Sequence, residues 1–81
     1  MNPIQCKLAR VALGWGVREL ANAANVSTQT ISRLERGDQL RTSTIDGIRQ
    51  VFEAAGVEFI VEGSDRFGII IKKPNSPLTD G

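Results

Sequence analysis

Histidine and tyrosine are absent from this sequence, and cysteine, tryptophan and methionine each occur once. Without histidine the chain lacks the commonest general base and the commonest metal ligand, which argues against serine–histidine or cysteine–histidine catalysis and against histidine-rich metal sites. The lone Cys6 cannot form a disulfide within the chain, which is typical of a reducing cytoplasm. Neither a run of about 20 apolar residues nor the apolar core of a signal peptide is present. These absences predict a cytoplasmic protein that does not contact a membrane, is not an enzyme and needs no metal or other cofactor.

Charge is nearly balanced over the whole chain, since ten basic and nine acidic residues leave a net charge of +1. Its distribution is uneven. Residues 1–37 contain five basic and two acidic side chains, whereas residues 57–81 contain three basic and four acidic ones. The positive electrostatic potential is therefore expected to be concentrated in the N-terminal half of the chain. A chain of 81 residues forms one small domain with a modest core, so dimerisation would add useful buried surface.

The strongest pattern in the chain is VRELANAANVSTQTISRLERG, residues 17–37. Apolar residues at helical spacing mark the inner faces of two short helices that meet over a tight turn. They are Leu20, Ala21 and Ala24 in the first helix and Ile31 and Leu34 in the second. Asn25 occupies the point of reversal, where a left-handed backbone is needed and asparagine is tolerated. Ser27 then predicts the N-cap of the second helix, and Gly37 predicts its end.

This run is similar to the helix-turn-helix of the phage repressor and Cro proteins, the Xre family, whose usual pattern is close to LA..AGVS...IS..E.G. The matching positions are Leu20-Ala21, Asn25-Val26-Ser27, Ile31-Ser32, Glu35 and Gly37. The chain departs at Asn25, where glycine is usual, and at Gly16-Val17, where a capping hydroxyl and a glutamine are common. An αα-hairpin that only packs is the alternative interpretation. The resemblance covers about residues 2–56 and implies binding to double-stranded DNA.

The resemblance also implies roles for individual side chains, because the second motif helix of this family enters the major groove. Thr28, Gln29 and Arg33 match the base-reading positions. Gln29 can bond bidentately with adenine and Arg33 with guanine. The expected contacts to the DNA backbone are Arg18, Ser27, Ser32, Arg36 and Arg41.

Two further helices are predicted around the motif. The opening NPIQCKLARVALG is a helix capped by Asn2, with Pro3 at its first position and Gly14 at its end. Its apolar stripe is expected to be core, and consists of Ile4, Leu8, Val11 and Ala12. Trp15 is expected to wedge this helix against the next. The resemblance implies that Arg10 and Glu35 form a bracing salt bridge, the alternative for Arg10 being a phosphate contact.

The fourth helix is predicted at about residues 43–55, with Thr42 or Ser43 as its N-cap and Gly56 at its end. The side chains expected to face inward are Ile45, Ile48, Phe52 and Ala55. Gly47 inside this helix costs about 1 kcal/mol relative to alanine, which the close approach of another element could justify.

The last part of the chain predicts a β-hairpin, because two β-branched runs, Val57–Glu62 and Phe67–Lys72, flank turn residues 63–66. One face is expected to cover the helical core and carries Val57, Phe59, Val61, Phe67, Ile69 and Ile71. Ile60 and Ile70 fall on the other face, where leftover apolar surface predicts a partner. The expected dimer contacts are Phe59, Ile60, Val61, Ile69, Ile70 and Ile71. A dimer through the fourth helix and Phe52 is the alternative.

The sequence thus predicts a mainly α fold, with a four-helix repressor-like helix-turn-helix domain over residues 1–56 and a C-terminal two-stranded β-hairpin over residues 57–73. Residues 74–81 are predicted to be disordered. The predicted function is that of a sequence-specific transcription regulator that binds an inverted repeat as a homodimer, because one recognition helix reads only about four base pairs. The alternative is an antitoxin-like autoregulator that also binds a partner protein such as a toxin.

Overall fold

The computed structural model of the chain describes residues 1–63 and 65–72. Four helices precede a two-stranded antiparallel sheet, which confirms the predicted fold class. The elements are α1 (Pro3–Ala12), α2 (Val17–Ala24), α3 (Thr28–Arg36), α4 (Thr42–Ala54), β1 (Val57–Glu62) and β2 (Arg66–Ile71). The tail that the sequence predicts to be disordered, residues 74–81, lies outside the described residues. Within the described ranges, no helix combines the length and the apolar character needed to cross a membrane.

The start of α1 is fixed by a reciprocal capping box. Oδ1 of Asn2 accepts from the Gln5 amide at 2.7 Å, and Oε1 of Gln5 accepts from the Asn2 amide at 3.0 Å. Pro3 follows the cap, and Gly14 adopts a left-handed φ of 72° beyond the last turn. The predicted boundaries of this helix are therefore confirmed.

The face that α1 turns inward is not the predicted one. Gln5, Cys6 and Ala9 are buried, whereas the stripe expected to be core is exposed. The exposed fractions are 58% for Ile4, 44% for Leu8 and 62% for Val11, and Ala12 is exposed as well. The prediction of a core stripe is wrong because α1 packs against both α3 and β2, and the small side chains of Cys6 and Ala9 permit this close approach.

The core centres on Phe52 of α4. Trp15 stacks on it, with ring centroids 5.9 Å apart and an interplanar angle of 19°. Phe59 of β1 meets the same ring edge-on, at 5.9 Å and 71°. Trp15 is therefore a packing residue, as expected, but its aromatic partner lies on α4. Burying a side chain of this size contributes about 1.5–3 kcal/mol to the stability of the fold.

The hairpin has one register throughout. Three pairs occupy the face toward the helices, Val57↔Ile71, Phe59↔Ile69 and Val61↔Phe67, and three occupy the other face, Glu58↔Ile70, Ile60↔Gly68 and Glu62↔Arg66. The second strand begins and ends one residue earlier than predicted, because Arg66 pairs with Glu62 instead of belonging to the turn. Of the six residues predicted to cover the helical core, four pack against it, namely Val57, Phe59, Ile69 and Ile71. The other two, Val61 and Phe67, lie near the turn and are exposed.

Gln5 ties the hairpin to α1. Its side chain is almost fully buried, at 1% exposure, and its Nε2 donates to the carbonyls of Ile60 at 2.9 Å and Gly68 at 3.0 Å. One amide group therefore serves both the capping box and a pair of carbonyls across the two strands. This role of Gln5 could not be predicted from the sequence, because its two partners lie 55 and 63 positions further along the chain.

The fourth helix starts earlier than predicted. Thr42 is its first residue, and the N-cap is Arg41, whose side chain makes no capping hydrogen bond within the described part of the chain. The proposed caps Thr42 and Ser43 are therefore wrong. The suggested reason for Gly47 is wrong too, since no other element of residues 1–63 or 65–72 comes within 4 Å of the position that a Cβ would take.

Gly47→Ala is expected to stabilise the domain by about 1 kcal/mol, because the site is exposed, helical and free of steric conflict. Thermal unfolding should shift upward by about 4–8 °C. Gly56→Ala is the control. Gly56 has a φ of 98°, and an added Cβ would collide with the Lys72 carbonyl, so this variant should be destabilised. A loss of stability in Gly47→Ala would show that its surface makes a contact in solution.

Candidate nucleic-acid interface

The turn between α2 and α3 has the geometry that its residues predict. Asn25 is left-handed, with φ 57° and ψ 45°, and the Val26 amide donates back to the Ala21 carbonyl at 3.0 Å. The Ser27 hydroxyl accepts from the Thr30 amide at 3.1 Å and so caps α3. These bonds fix the angle at which α3 leaves the turn.

The third helix separates apolar from polar residues sharply. Ile31 and Leu34 are buried against the core. The exposed side chains are Thr28, Gln29, Ser32, Arg33 and Arg36. At 3.6 residues per turn these five fall within an arc of about 140°. The outer face of α3 is therefore a continuous polar surface that carries two cations and no anion.

All eight residues predicted to contact DNA are exposed. Ser27, Arg33 and Arg41 line one open groove between α3 and the start of α4, and Gln39, which the sequence analysis did not single out, lines it with them. As far as the described residues define it, this groove does not include Arg18, which lies on α2. The Ser27 hydroxyl is already engaged as the α3 cap and lies 2.9 Å from the Thr30 hydroxyl.

The beginning of α4 borders the same groove and offers a second kind of anion site. A helix N-terminus exposes amide groups and carries partial positive charge. Here no side chain of the described residues caps it from Arg41, and the Arg41 guanidinium adds a full charge. This combination suits a phosphate. This anion site was not predicted from the sequence, because a Thr42 or Ser43 cap would already bind the amide groups at the start of α4.

An acidic residue sits directly beyond α3. Oδ2 of Asp38 accepts from Nη2 of Arg36 at 2.7 Å and lies 3.7 Å from Nε of Arg33. The hydrogen bond from Arg36 holds the pKa of Asp38 below its usual value, and the same bond raises the pKa of Arg36. Asp38 therefore remains a carboxylate at neutral pH, beside two of the cations expected to contact DNA.

A buried ion pair sets the position of α3 against α1. Arg10 and Glu35 form two hydrogen bonds, at 2.8 and 3.0 Å, and their side chains are only 13% and 11% exposed. Arg10 also donates to the Trp15 carbonyl at 3.1 Å. The expected brace is confirmed, and the alternative of a phosphate contact by Arg10 is wrong. Because Glu35 lies on α3 between Arg33 and Arg36, this pair fixes the orientation of α3 relative to α1.

Cys6 belongs to the same buried cluster. Its Sγ lies 3.6 Å from Oε2 of Glu35, and burial together with the nearby Glu35 carboxylate raises its pKa to about 12. The thiol therefore stays protonated at neutral pH and is a poor nucleophile. It is a buried packing residue.

Comparison with known families agrees with this geometry. A helix-turn-helix family model matches residues 7–58, which is more than half of the chain and includes all of α2, α3 and α4. The comparison with curated proteins gave no match. The matched region contains the left-handed turn at Asn25, the Ser27 cap and the polar arc of α3. The chain therefore belongs to the Xre-type helix-turn-helix family of DNA-binding proteins.

Proposed function

We propose that this protein is a transcription regulator that binds an inverted-repeat operator as a homodimer, with α3 in the major groove. The observation that carries the proposal is the polar arc of α3, whose five exposed side chains are held in place from behind by Ile31 and Leu34. A rigid helix with this surface can present hydrogen-bonding groups to base edges at fixed spacing.

Within the arc, Gln29 and Arg33 are the main base readers. The Gln29 amide matches the donor and acceptor pair of adenine, and the Arg33 guanidinium matches the two acceptors of guanine. Thr28 contributes a hydroxyl or a methyl contact nearby. Ser27, Ser32 and Arg36 contact phosphates from the same helix, while Arg18 on α2 and Arg41 at the start of α4 contact the backbone on either side.

The phosphate contacts have a measurable signature. Arg18→Ala, Arg36→Ala and Arg41→Ala are each expected to flatten the dependence of log Kd on log salt by about one unit per lost contact in each protomer. Lys7→Ala, which removes an exposed charge from α1, is the control and should leave the slope unchanged. Fluorescence anisotropy between 50 and 200 mM salt measures the slopes. Slopes equal to that of the control would contradict these assignments.

The dimer is proposed to form through the outer face and turn end of the hairpin. Ile70 is 45% exposed on a face that otherwise carries Glu58, Glu62 and Arg66. Across from Ile60 stands Gly68, and within the described residues nothing fills the space where its Cβ would be, so a recess opens beside Ile60. A side chain of a second copy can fill that recess while the two hairpins pair around a twofold axis.

Fewer residues are available for the dimer contact than the sequence predicts. Phe59, Ile69 and Ile71 pack against their own helical core, so the proposal rests on Ile60, Val61 and Ile70. The alternative dimer, through the fourth helix, is not favoured, because Phe52 was its expected contact residue and has no exposed surface.

Ile70→Lys is expected to shift the protein from dimer to monomer and to weaken operator binding at least tenfold, because a charge would then enter the subunit contact. Sedimentation velocity gives the oligomeric state. Leu8→Lys, placed on the exposed stripe of α1, is the matched control and should remain dimeric. The reverse pattern, with Leu8→Lys monomeric and Ile70→Lys dimeric, would place the dimer contact on α1 and contradict the hairpin.

Selection of bound duplexes from a random DNA pool tests the proposed function as a whole. We expect an inverted repeat whose half-sites are centred about 34 Å apart, one helical turn, because a twofold dimer presents its two α3 helices in that way. Enrichment of no sequence, or of asymmetric sites only, would contradict the proposal.

The antitoxin-like autoregulator remains the second candidate function, and the α1 stripe favours it. Ile4, Leu8 and Val11 form an apolar surface that the protein leaves open to solvent, with Lys7 and Glu35 at its margins. Surfaces of this kind mark contacts with other proteins. On this account Leu8→Lys would keep both the dimer and operator affinity, and would abolish co-purification with the product of an adjacent gene.

A further inference from the structure

The carboxylate of Asp38 joins the two arginines at the end of the reading helix. Its Oδ2 accepts a 2.7 Å hydrogen bond from Arg36 and lies 3.7 Å from Nε of Arg33. Arg33 is the proposed guanine reader and Arg36 a proposed phosphate contact. One internal anion therefore neutralises the cations on which DNA affinity depends.

The position of this carboxylate is set by the backbone. Gly37 takes a left-handed φ of 92°, its amide donates to the Leu34 carbonyl at 3.1 Å, and the Asp38 amide donates to the Arg33 carbonyl at 2.9 Å. These bonds end α3 and return Asp38 toward the last helical turn. The side chain thus stands next to Arg33 and Arg36 for as long as the helix is capped in this way.

Helix stability does not account for an acid at this position. The C-terminal end of a helix carries partial negative charge, so an anion there is unfavourable while a cation is favourable. Arg33 and Arg36 already supply the favourable charges in the last turn. The interactions that the Asp38 carboxylate does make are with the two arginines.

We propose that Asp38 is a specificity-determining residue that competes with DNA phosphates for Arg33 and Arg36 and so weakens binding to non-cognate DNA. This inference rests on the proposed role of α3 as the reading helix. Non-specific affinity comes almost entirely from phosphate contacts, which the internal carboxylate both replaces and repels. At the cognate site Arg33 can donate to guanine through its two Nη groups while its Nε stays beside Oδ2 of Asp38, so this carboxylate contact is kept there and lost on random DNA.

Asp38→Asn tests the proposal, because it keeps the size of the side chain and the backbone bonds while removing the charge. Affinity for a random duplex is expected to rise about 3- to 10-fold, the range set by two exposed ion pairs. Affinity for the duplex selected from the random pool should rise clearly less, since the contact between Asp38 and Nε of Arg33 is kept while Arg33 reads guanine, and an equal rise on both duplexes would overturn the proposal. The salt dependence on random DNA should steepen by about one unit per protomer.

The matched control is Glu53→Gln, which removes one negative charge from another exposed carboxylate that pairs with an arginine, Arg49, at 3.9 Å. It should leave both affinities within about twofold, because its partner Arg49 lies on α4 and is not among the proposed DNA contacts. A second control repeats Asp38→Asn in an Arg33→Ala, Arg36→Ala background, where the carboxylate has lost its partners and the gain on random DNA should largely disappear.

The outcomes separate this inference from the proposed function. Equal tightening by Asp38→Asn and Glu53→Gln, or a gain that persists without the two arginines, would overturn the role of Asp38 and leave the reading helix intact. Unchanged affinity of Asp38→Asn for random DNA would overturn it as well. A wild-type protein that binds selected and random duplexes equally would overturn both the proposed function and the role of Asp38.

Discussion

Replacing Glu35 with leucine should lower the free energy of unfolding by about 3 kcal/mol. The substitution leaves the Arg10 guanidinium in a site that is only 13% exposed, with the Trp15 carbonyl as its remaining partner. A buried charge that loses its counter-ion costs about 3–5 kcal/mol in such cases. Arg10→Met should cost about as much, because it leaves the Glu35 carboxylate unpaired. For a domain of this size that is a large part of the total stability.

The double variant distinguishes a lost ion pair from lost packing. With both Arg10→Met and Glu35→Leu the site becomes apolar, and the net cost should fall to about 1 kcal/mol or less. Urea unfolding followed by Trp15 fluorescence measures each free energy, since Trp15 stacks on Phe52 in the core. Glu53→Leu, at an exposed ion pair, is the control and should cost no more than about 0.5 kcal/mol. If the costs of the two single variants simply add in the double variant, the loss of stability does not come from a broken ion pair, which would contradict the prediction.

Gln5→Glu should cost about 3 kcal/mol at pH 7, although it exchanges only an amide nitrogen for an oxygen. The amide donates to the carbonyls of Ile60 and Gly68, and a carboxylate in its place would face two acceptors in a buried site. Burial and those carbonyl oxygens would raise the pKa of the introduced carboxyl above its unfolded value. Its cost should therefore be smallest below about pH 4 and should grow as the pH rises through the raised pKa.

The pH dependence makes this prediction specific. Urea unfolding at about pH 4 and pH 7 should give a larger difference between variant and wild type at the higher pH, because a protonated carboxyl can still donate one of the two hydrogen bonds. Gln39→Glu makes the same chemical change in an exposed loop and should alter stability by less than about 0.5 kcal/mol at either pH. A Gln5→Glu variant as stable as this control would mean that the hairpin does not depend on α1.

Local signals explain why the helix-turn-helix could be predicted closely from the sequence. The left-handed Asn25, the Ser27 cap and the Gly37 end each act through bonds to residues three to five positions away. The burial of Ile31 and Leu34 follows from helical spacing in the same way. Such features depend little on the rest of the chain, so the side of α3 that faces solvent could also be predicted correctly.

Long-range contacts explain the errors. Periodicity shows that one side of α1 is apolar, but it does not show which side meets α3 and β2. The structure chooses the side with Cys6 and Ala9, where small side chains allow close packing and Gln5 can reach the strands. The predicted start of α4 is wrong because a threonine resembles an N-cap, whereas the helix begins with it and has no side-chain cap from Arg41.

The α1 stripe and the outer face of the hairpin both expose apolar side chains, so each is a candidate contact with a second protomer. Exposure alone ranks the α1 stripe first, since Ile4, Leu8 and Val11 are all exposed, whereas on the hairpin Ile70 is exposed and Ile60 is only partly so. The recess beside Ile60 is the structural reason to propose the hairpin, because among the described residues only the chain neighbours of Gly68 lie within 4 Å of the place that a Cβ would take.

The proposed role of α3 is to read base edges with its outer face. The ratio of the affinities for cognate and random DNA tests this role most directly. Gln29→Ala and Arg33→Ala should each weaken binding to the selected inverted repeat by about 1–3 kcal/mol, or roughly 5- to 150-fold. Binding of Gln29→Ala to random DNA should stay nearly unchanged, and Arg33→Ala should lose far less there than on the repeat. A fall in the affinity ratio is the predicted result. Equal losses on both duplexes would show that these side chains only attract the DNA backbone, and would contradict the account.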